Sequence, residues 1–456
     1  MVLVLTVIVL QSISFSNYAL TTKTTNIIYG SAPYLTFDGG RTRVTNTEAL
    51  LGITLSDGRT FTPTTNNSSS TNPIVLPAIG QSSADIGMLV PRNTDSIALS
   101  SLIGAPYNYW GDDDGDGQGV NGITATGSLK LSIVNRWNQP VARNEVLDIC
   151  KAPYRLTLSN DGGRLTTRYG VPNESRFSAS NVTYYINPNP NISSPVICFA
   201  RPAGVGGNSR GTIHPASTWE TGKGFLTQSV TPSSYGSNFP TTGANNLYFD
   251  LDIVGNNQVL SWAPVSHGRI TATMTNSTKT SVRVTLTGPV ANGPSYWESD
   301  DPATSTPSLY QVFELVGRDS SGNAVVKYGF KLQKWFINRG YYKSSYRNMT
   351  SWCPSYYRVP KVKDLTNASW FVSGSQMGAT PSAHGNYDVL YIGGGFFSEW
   401  GNMYEYTGAN IQRGDYWTTD IDSDGYNTLL SVHSRNGDVS RSLRDRDTQY
   451  GLCVYP

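Results

Sequence analysis

Apolar residues in this chain recur at every second position and almost never at helical spacing. The runs LKLSIV (129–134), YRLTLS (154–159), ITATM (270–274) and VRVTLTG (282–288) alternate apolar and polar side chains. On a pleated strand that period places the apolar set on one face. Gly, Asn, Asp and Pro bound the runs, and these residues make turns and end strands. Short half-buried strands at this spacing predict antiparallel sandwiches rather than a parallel sheet. The fold class that follows is mainly β. Two segments carry hairpin signals. LSIVNRWNQPVARNEVLDI (131–149) reads as strand, turn and strand, with turn residues Asn135, Asn138 and Pro140. FELVGRDSSGNAVVKYGFKL (313–332) reads the same way, its turn at Asp319–Asn323.

A chain of 456 residues has room for several domains at roughly 150 residues each. Only 14% of its residues are charged, against about 25% in an average soluble protein. The net charge of +2 offers no electrostatic footprint for nucleic acid or an anionic membrane. The first ten residues, MVLVLTVIVL, are almost wholly apolar. A bilayer span needs about 20 such residues, so residues 1–19 read as a secretory signal peptide cut near Ser16 or Ala19. No later segment is long and apolar enough for a direct membrane span.

The four cysteines allow three pairings, and none lies in a C-x-x-C. Outside the cytoplasm disulfides persist, and sequence order suggests Cys150–Cys198 and Cys353–Cys453. Each would close a long loop, worth roughly 4 to 5 kcal/mol by chain entropy.

After Asn338 the composition changes, and Tyr and Trp become dense. CPSYYRVP opens a block that YGLCVYP closes, with GGGFFSEWGNM (393–403) and YWTTD (416–420) between them. That order resembles a C-type-lectin-like domain, in which a terminal disulfide ties the first and last elements. The expected organisation is a signal peptide (1–19), an N-terminal β region with an acidic loop (20–125), an Ig-like β-sandwich (126–227), a second β-sandwich (228–338) and a C-type-lectin-like α+β domain (339–456).

A wider resemblance covers residues 105 to 403. WGDDDGDGQG, VLDICKAPYRLTL, RYGVPNESRFSASNVTYYINPNP, FPTTGANNLYFDLDI, FELVGRDSSGNAVVKYGF and FFSEWGNM resemble enterobacterial adhesion-domain surface proteins, related to the intimin and invasin group. The resemblance implies an exported or surface-bound bacterial protein that binds a host-cell protein or glycan.

Two stretches carry candidate metal chemistry. Asp112, Asp114 and Asp116, followed by Gly117, and Asp420, Asp422 and Asp424, followed by Gly425, share D-x-D-x-D-G spacing. Calcium takes six to eight oxygens, and alternate carboxylates on a turn supply several. Position twelve of the first loop is Ile123, not the bidentate Glu of an EF-hand. A Ca2+-bearing β-loop is the metal reading. The bland reading is two acidic turns, the second neutralised by Arg435, Arg441 and Arg444 nearby in sequence.

The lectin-like block lacks the E-P-N, Q-P-D and W-N-D strings of calcium-dependent sugar sites. Its candidate receptor contacts are Tyr404, Tyr406, Tyr416, Tyr426, Arg435, Arg441 and Arg444, residue types enriched at binding hot spots. Trp400 and Trp417 read as core. No H-E-x-x-H, G-x-S-x-G or P-loop string occurs, so the chain reads as a non-enzyme. The expected function is an exported adhesin whose lectin-like head binds a host-surface receptor. A structural or assembly component of a bacterial surface or secretion system is the alternative. A secreted glycan hydrolase comes third, kept by carboxylate pairs such as Glu298 and Asp300.

Overall fold

A computed structural model of the chain describes residues 29–115, 122–190, 195–205, 218–300, 302, 304–372, 375–378, 389–422 and 427–456. The expected signal peptide lies outside them. The architecture is mainly β, in three units of which the last two interleave along the chain. No helix among the described residues is long and apolar enough to cross a membrane.

The first unit closes around one core, from Leu35 to Ile186. Its larger sheet runs in the order 74–75, 180–187, 154–160, 128–134 and 96–98. A three-stranded sheet, with 163–167 between 174–177 and 123–126, covers the same core. Two strands pass from one sheet to the other through glycines. Gly127 and Gly162 sit at φ +103° and +91°, and a Cβ on Gly127 would lie 2.1 Å from the Gly162 carbonyl oxygen. Only glycine permits that backbone approach at the corner. The boundary expected at 125/126 therefore falls inside the unit. Ser96–Ala98 pairs with Ser128–Val134 across it.

Of the hairpin expected over 131–149 only the turn forms, with Val134 bridged antiparallel to Pro140 and the Val141 N–H on Ile133 O. The second strand does not continue, and Ser128–Val134 pairs with Tyr154–Asn160. Asn135 closes its turn, its Oδ1 accepting the N–H groups of Trp137 and Gln139. Beyond the turn the backbone is held by another loop. Arg143 O accepts Ala84 N–H, and Leu147 N–H reaches Gln81 O. The other hairpin stands as read, Val312–Arg318 pairing with Ala324–Lys331 around the Asp319–Asn323 turn.

The second unit packs a seven-stranded antiparallel sheet on a three-stranded one. Strict alternation of burial along Leu247–Val254 and Ser281–Thr287 marks the inward face. Val196–Pro202 pairs with Leu247–Val254 inside this sheet, so the boundary expected at 227/228 is also corrected. Both misplaced boundaries have one cause, pairing between segments far apart in sequence. The Cys150–Cys198 disulfide ties this sheet to the first unit. Beside it, Glu220 takes an ion pair from Arg136 at 2.6 Å and the Trp137 indole N–H at 3.0 Å.

The third unit, an α+β body, is spliced into the second. One sheet holds Thr242–Ala244, Lys334–Asn338 and the C-terminal Leu452–Tyr455. The Cys353–Cys453 disulfide fastens its last strand to the end of the Tyr346–Trp352 helix. A single core runs from Ile197 to Val454 without a break. Phe239 and Phe249 of the second unit meet Trp400 of the third at ring distances of 4.8 and 6.1 Å. Among its described residues the unit also holds three short helices (Tyr346–Trp352, Val362–Leu365, Phe396–Trp400), the strand pair Ser369–Val372 and Ser375–Gly378, and a sheet of Asp415–Ile421, Thr428–His433 and Val439–Leu443.

Two buried carboxylates brace the third unit, Glu399 at this junction and Asp364 within the unit itself. Glu399 is wholly buried. It accepts the N–H and hydroxyl groups of Thr241 and Thr242 and the N–H of Gly393, at 2.5 to 3.2 Å. Burial pushes its pKa up, and these donors oppose the shift. Asp364 is paired to Lys334 at 2.8 Å and to Arg358 at 2.6 Å. Burial raises the Asp364 carboxyl, but the hydrogen bonds from Arg358 and Lys334 outweigh it and hold its pKa below 3.8.

Glu399→Ala strands three backbone N–H groups in the core, and should cost about 3 to 5 kcal/mol in urea unfolding. A loss below about 1 kcal/mol would contradict the role given to it. For Asp364 the sign follows from the lowered pKa. Its stabilisation is complete above 3.8 and is lost as pH falls through the folded value. Asp364→Asn should therefore flatten the acid limb of the urea midpoint against pH. An unchanged acid limb would refute the assignment.

Candidate functional site

The first acidic loop follows the Trp110–Gly111 strand, which pairs with Tyr34–Leu35. Its carboxylates turn toward that neighbouring segment. Asp113 forms an ion pair with Arg43 and accepts the Tyr34 hydroxyl. Asp114 Oδ2 accepts the Ser31 N–H at 2.7 Å. Gly30 makes room for it, since a Cβ there would lie 1.4 Å from Asp114 Oδ2. Asp112 is partly buried, and Asp116 lies outside the described residues.

In the second stretch Asp420 Oδ2 accepts the Val362 N–H at 2.7 Å, at the start of a short helix. Asp422 is buried and pairs with Arg441 at 2.6 Å. Asp424 lies outside the described residues. Among the described residues, no three His, Cys, Asp or Glu side chains gather closely enough to hold a metal ion.

The described candidate receptor residues do not form one surface. Tyr406 and Tyr416 are core residues, which corrects their placement at a contact surface. Tyr406 donates to Trp400 O at 2.8 Å and accepts the Gly204 N–H at 3.0 Å. Tyr416 packs between Phe397 and Tyr450 and bonds the Gln412 backbone. Burial pushes both phenols far up. Trp400 and Trp417 are fully buried, as their sequence reading has them. Tyr426 is outside the described residues.

The remaining four divide along the Thr428–His433 strand. Tyr404 is 60% exposed, and the Met403 N–H to Ser434 O bond sets it beside exposed Arg435 at the His433 end. Arg444 belongs to the Thr428 end, its N–H bonded to Asn427 O and its guanidinium over the Tyr346 ring. Six residues of strand separate the two ends, about 17 Å at 3.3 to 3.4 Å per residue. Arg441 is half-buried and engaged with Asp422.

Two features escaped the sequence reading. Ile421 is 71% exposed and Leu443 40% exposed, both at the Thr428 end. Leu443 was visible as a lone apolar residue in the charged run RSLRDRD. At the other end Asp415 and His433 are direct cross-strand partners, and the His433 N–H reaches Asp438 O. Burial raises both carboxyls, and His433 opposes the shift in each. No motif spacing announces that group, because strand register alone brings Asp415 to His433.

No family model matches the chain, and no curated protein matches it. Among solved structures, it is similar to a C-terminal 282-residue fragment of intimin in complex with the translocated intimin receptor's intimin-binding domain. That likeness has 11% identity and a TM-score of 0.34, over 74% of this chain and 94% of the other. An EHEC intimin mutant shows 14% identity and a TM-score of 0.28, over 48% and 92%. SGBP-B of the Bacteroides ovatus mixed-linkage glucan utilization locus, in complex with a mixed-linkage heptasaccharide, shows 10% identity and a TM-score of 0.15, over 70% and 62%.

The Asp422–Arg441 pair generates a prediction. Arg441→Met takes the cation from a buried carboxylate and should lower stability by about 3 to 5 kcal/mol. Combining it with Asp422→Leu should restore most of the loss, as read by urea unfolding. No recovery in the double variant would show that the two side chains are not energetically coupled.

Proposed function

We propose that the chain is an extracellular adhesin that binds a host-surface protein through its third unit, at the Thr428 end of the sheet. The observation that carries this reading is the exposure of Ile421 and Leu443 beside Arg444 and Arg446. Aliphatic groups among arginines, on a unit braced by a continuous core, have the chemistry of an interface centre. Aliphatic side chains suit a protein partner better than a sugar, which takes aromatic faces and paired hydroxyl acceptors.

The two disulfides support an extracytoplasmic setting, secreted or on the cell surface. The resemblance of the sequence to adhesion-domain proteins points the same way. Binding also accords with how the buried acids are used. Glu399, Asp364 and Asp422 are engaged in holding the fold together.

Flow cytometry of the labelled chain on cultured host cells tests the reading. Leu443→Asp combined with Arg444→Glu should reduce binding at least about tenfold with an unchanged unfolding midpoint. Tyr404→Ala should leave binding intact. Full binding by the double variant, or loss with Tyr404→Ala alone, would overturn the placement.

A further inference from the structure

The first unit contains a cleft of about 530 Å³ whose lining includes Phe37, Asp38, Asp85, Arg92, Tyr109 and Arg143. Arg143 is only 8% exposed. Its backbone is pinned, the carbonyl accepting the Ser83 hydroxyl at 3.0 Å and the Ala84 N–H at 2.8 Å. Its Nη1 donates to the carbonyls of Val90 and Pro91, both at 2.9 Å. Its Nε is buried with no hydrogen-bond partner. Among the described residues no carboxylate makes an ion pair with this guanidinium.

The acids of the cleft are occupied elsewhere. Asp38 is taken by Thr36 and Thr42, and Asp85 Oδ2 by the N–H and hydroxyl of Ser82. This buried cation hydrogen-bonds only to neutral carbonyls, while Asp95 acts on it through space without a hydrogen bond, so part of its lost hydration is not replaced. A guanidinium offers a planar fork that matches a carboxylate, and exposed Arg92 supplies a second positive charge in the same cleft. Phe37 and Tyr109, both half-buried, give aromatic surface. An aromatic lining with a few convergent polar groups, at this volume, is the make-up of a small-ligand site.

We propose that this cleft binds a carboxylate-bearing monosaccharide, its carboxylate on Arg143 and Arg92 and its ring against Phe37 and Tyr109. The site lies in a different unit from the receptor surface proposed above and does not rest on that reading.

Titration calorimetry of the full chain tests it, with N-acetylneuraminic acid, glucuronic acid, glucose and acetate in chloride-free buffer. At least one acidic sugar should bind with a Kd below about 1 mM. Glucose and acetate should bind at least about tenfold more weakly. Arg92→Gln, at an exposed position, should weaken the acidic sugar at least about tenfold. Arg143→Met should abolish binding, with circular dichroism checking its fold; if it does not fold, Arg92→Gln carries the test. Several results would overturn the proposal: no heat from either acidic sugar up to about 10 mM, glucose binding equally well, or an unaffected Arg92→Gln variant. Acetate binding as tightly as the sugars would reject a sugar site in favour of a bare carboxylate one.

Discussion

A carboxylate with no access to water holds the larger part of this protein together. Glu399 sits on the Phe396–Trp400 helix of the third unit, and its main donors, Thr241 and Thr242, lie where the chain passes from the third unit's sheet into the Leu247–Val254 strand of the second. A buried acid persists only when its oxygens are fully engaged, so this group specifies how the two units meet. Trp400, one position on, extends the contact by donating its indole N–H to Thr242 O. Around it the rings of Phe225, Phe239, Phe249 and Tyr406 carry the packing from one unit into the other. The shared sheet then fixes the register, with Lys334–Asn338 between Thr242–Ala244 and Leu452–Tyr455.

The first unit is attached by different means. Its core is separate from the one that unites the other two. Among the described residues its link includes a disulfide with a small apolar cluster around it, an ion pair and an indole hydrogen bond. Trp137, read from sequence as part of an ordinary hairpin turn, packs against the Cys150–Cys198 cluster. Covalent closure there constrains the chain without requiring a large apolar interface. Two attachments of such different character leave the third unit stiffly mounted and the first unit's cleft independent of it.

Much of this was legible in the alternation of side chains. The runs at 129–134, 154–159, 270–274 and 282–288 became strands, and the turn residues at 319–323 closed a hairpin. Two-residue and three-residue strands such as Ile74–Val75 and Ser96–Ala98 are too short to show a period, so the first domain boundary was misplaced. The hairpin over 131–149 stopped at its turn because Arg143 and Leu147 bond to a loop some sixty residues earlier, as the Ser83–Arg143 separation of 60 records. Tyrosine composition could not separate Tyr404, which faces solvent, from Tyr406, which bonds inside the core. Nor does an E-W-G string reveal that its glutamate is buried, since that depends on two threonines 157 and 158 positions away.

The shared core and the Glu399 contacts make the second and third units one cooperative body. Native-state hydrogen exchange can compare the amides of Val284, Phe336 and Val432, which sit in three different sheets. All three should exchange through a common opening with the same free energy and the same denaturant dependence. Exchange of Val432 through a much cheaper opening, while Val284 stays protected, would contradict a single body.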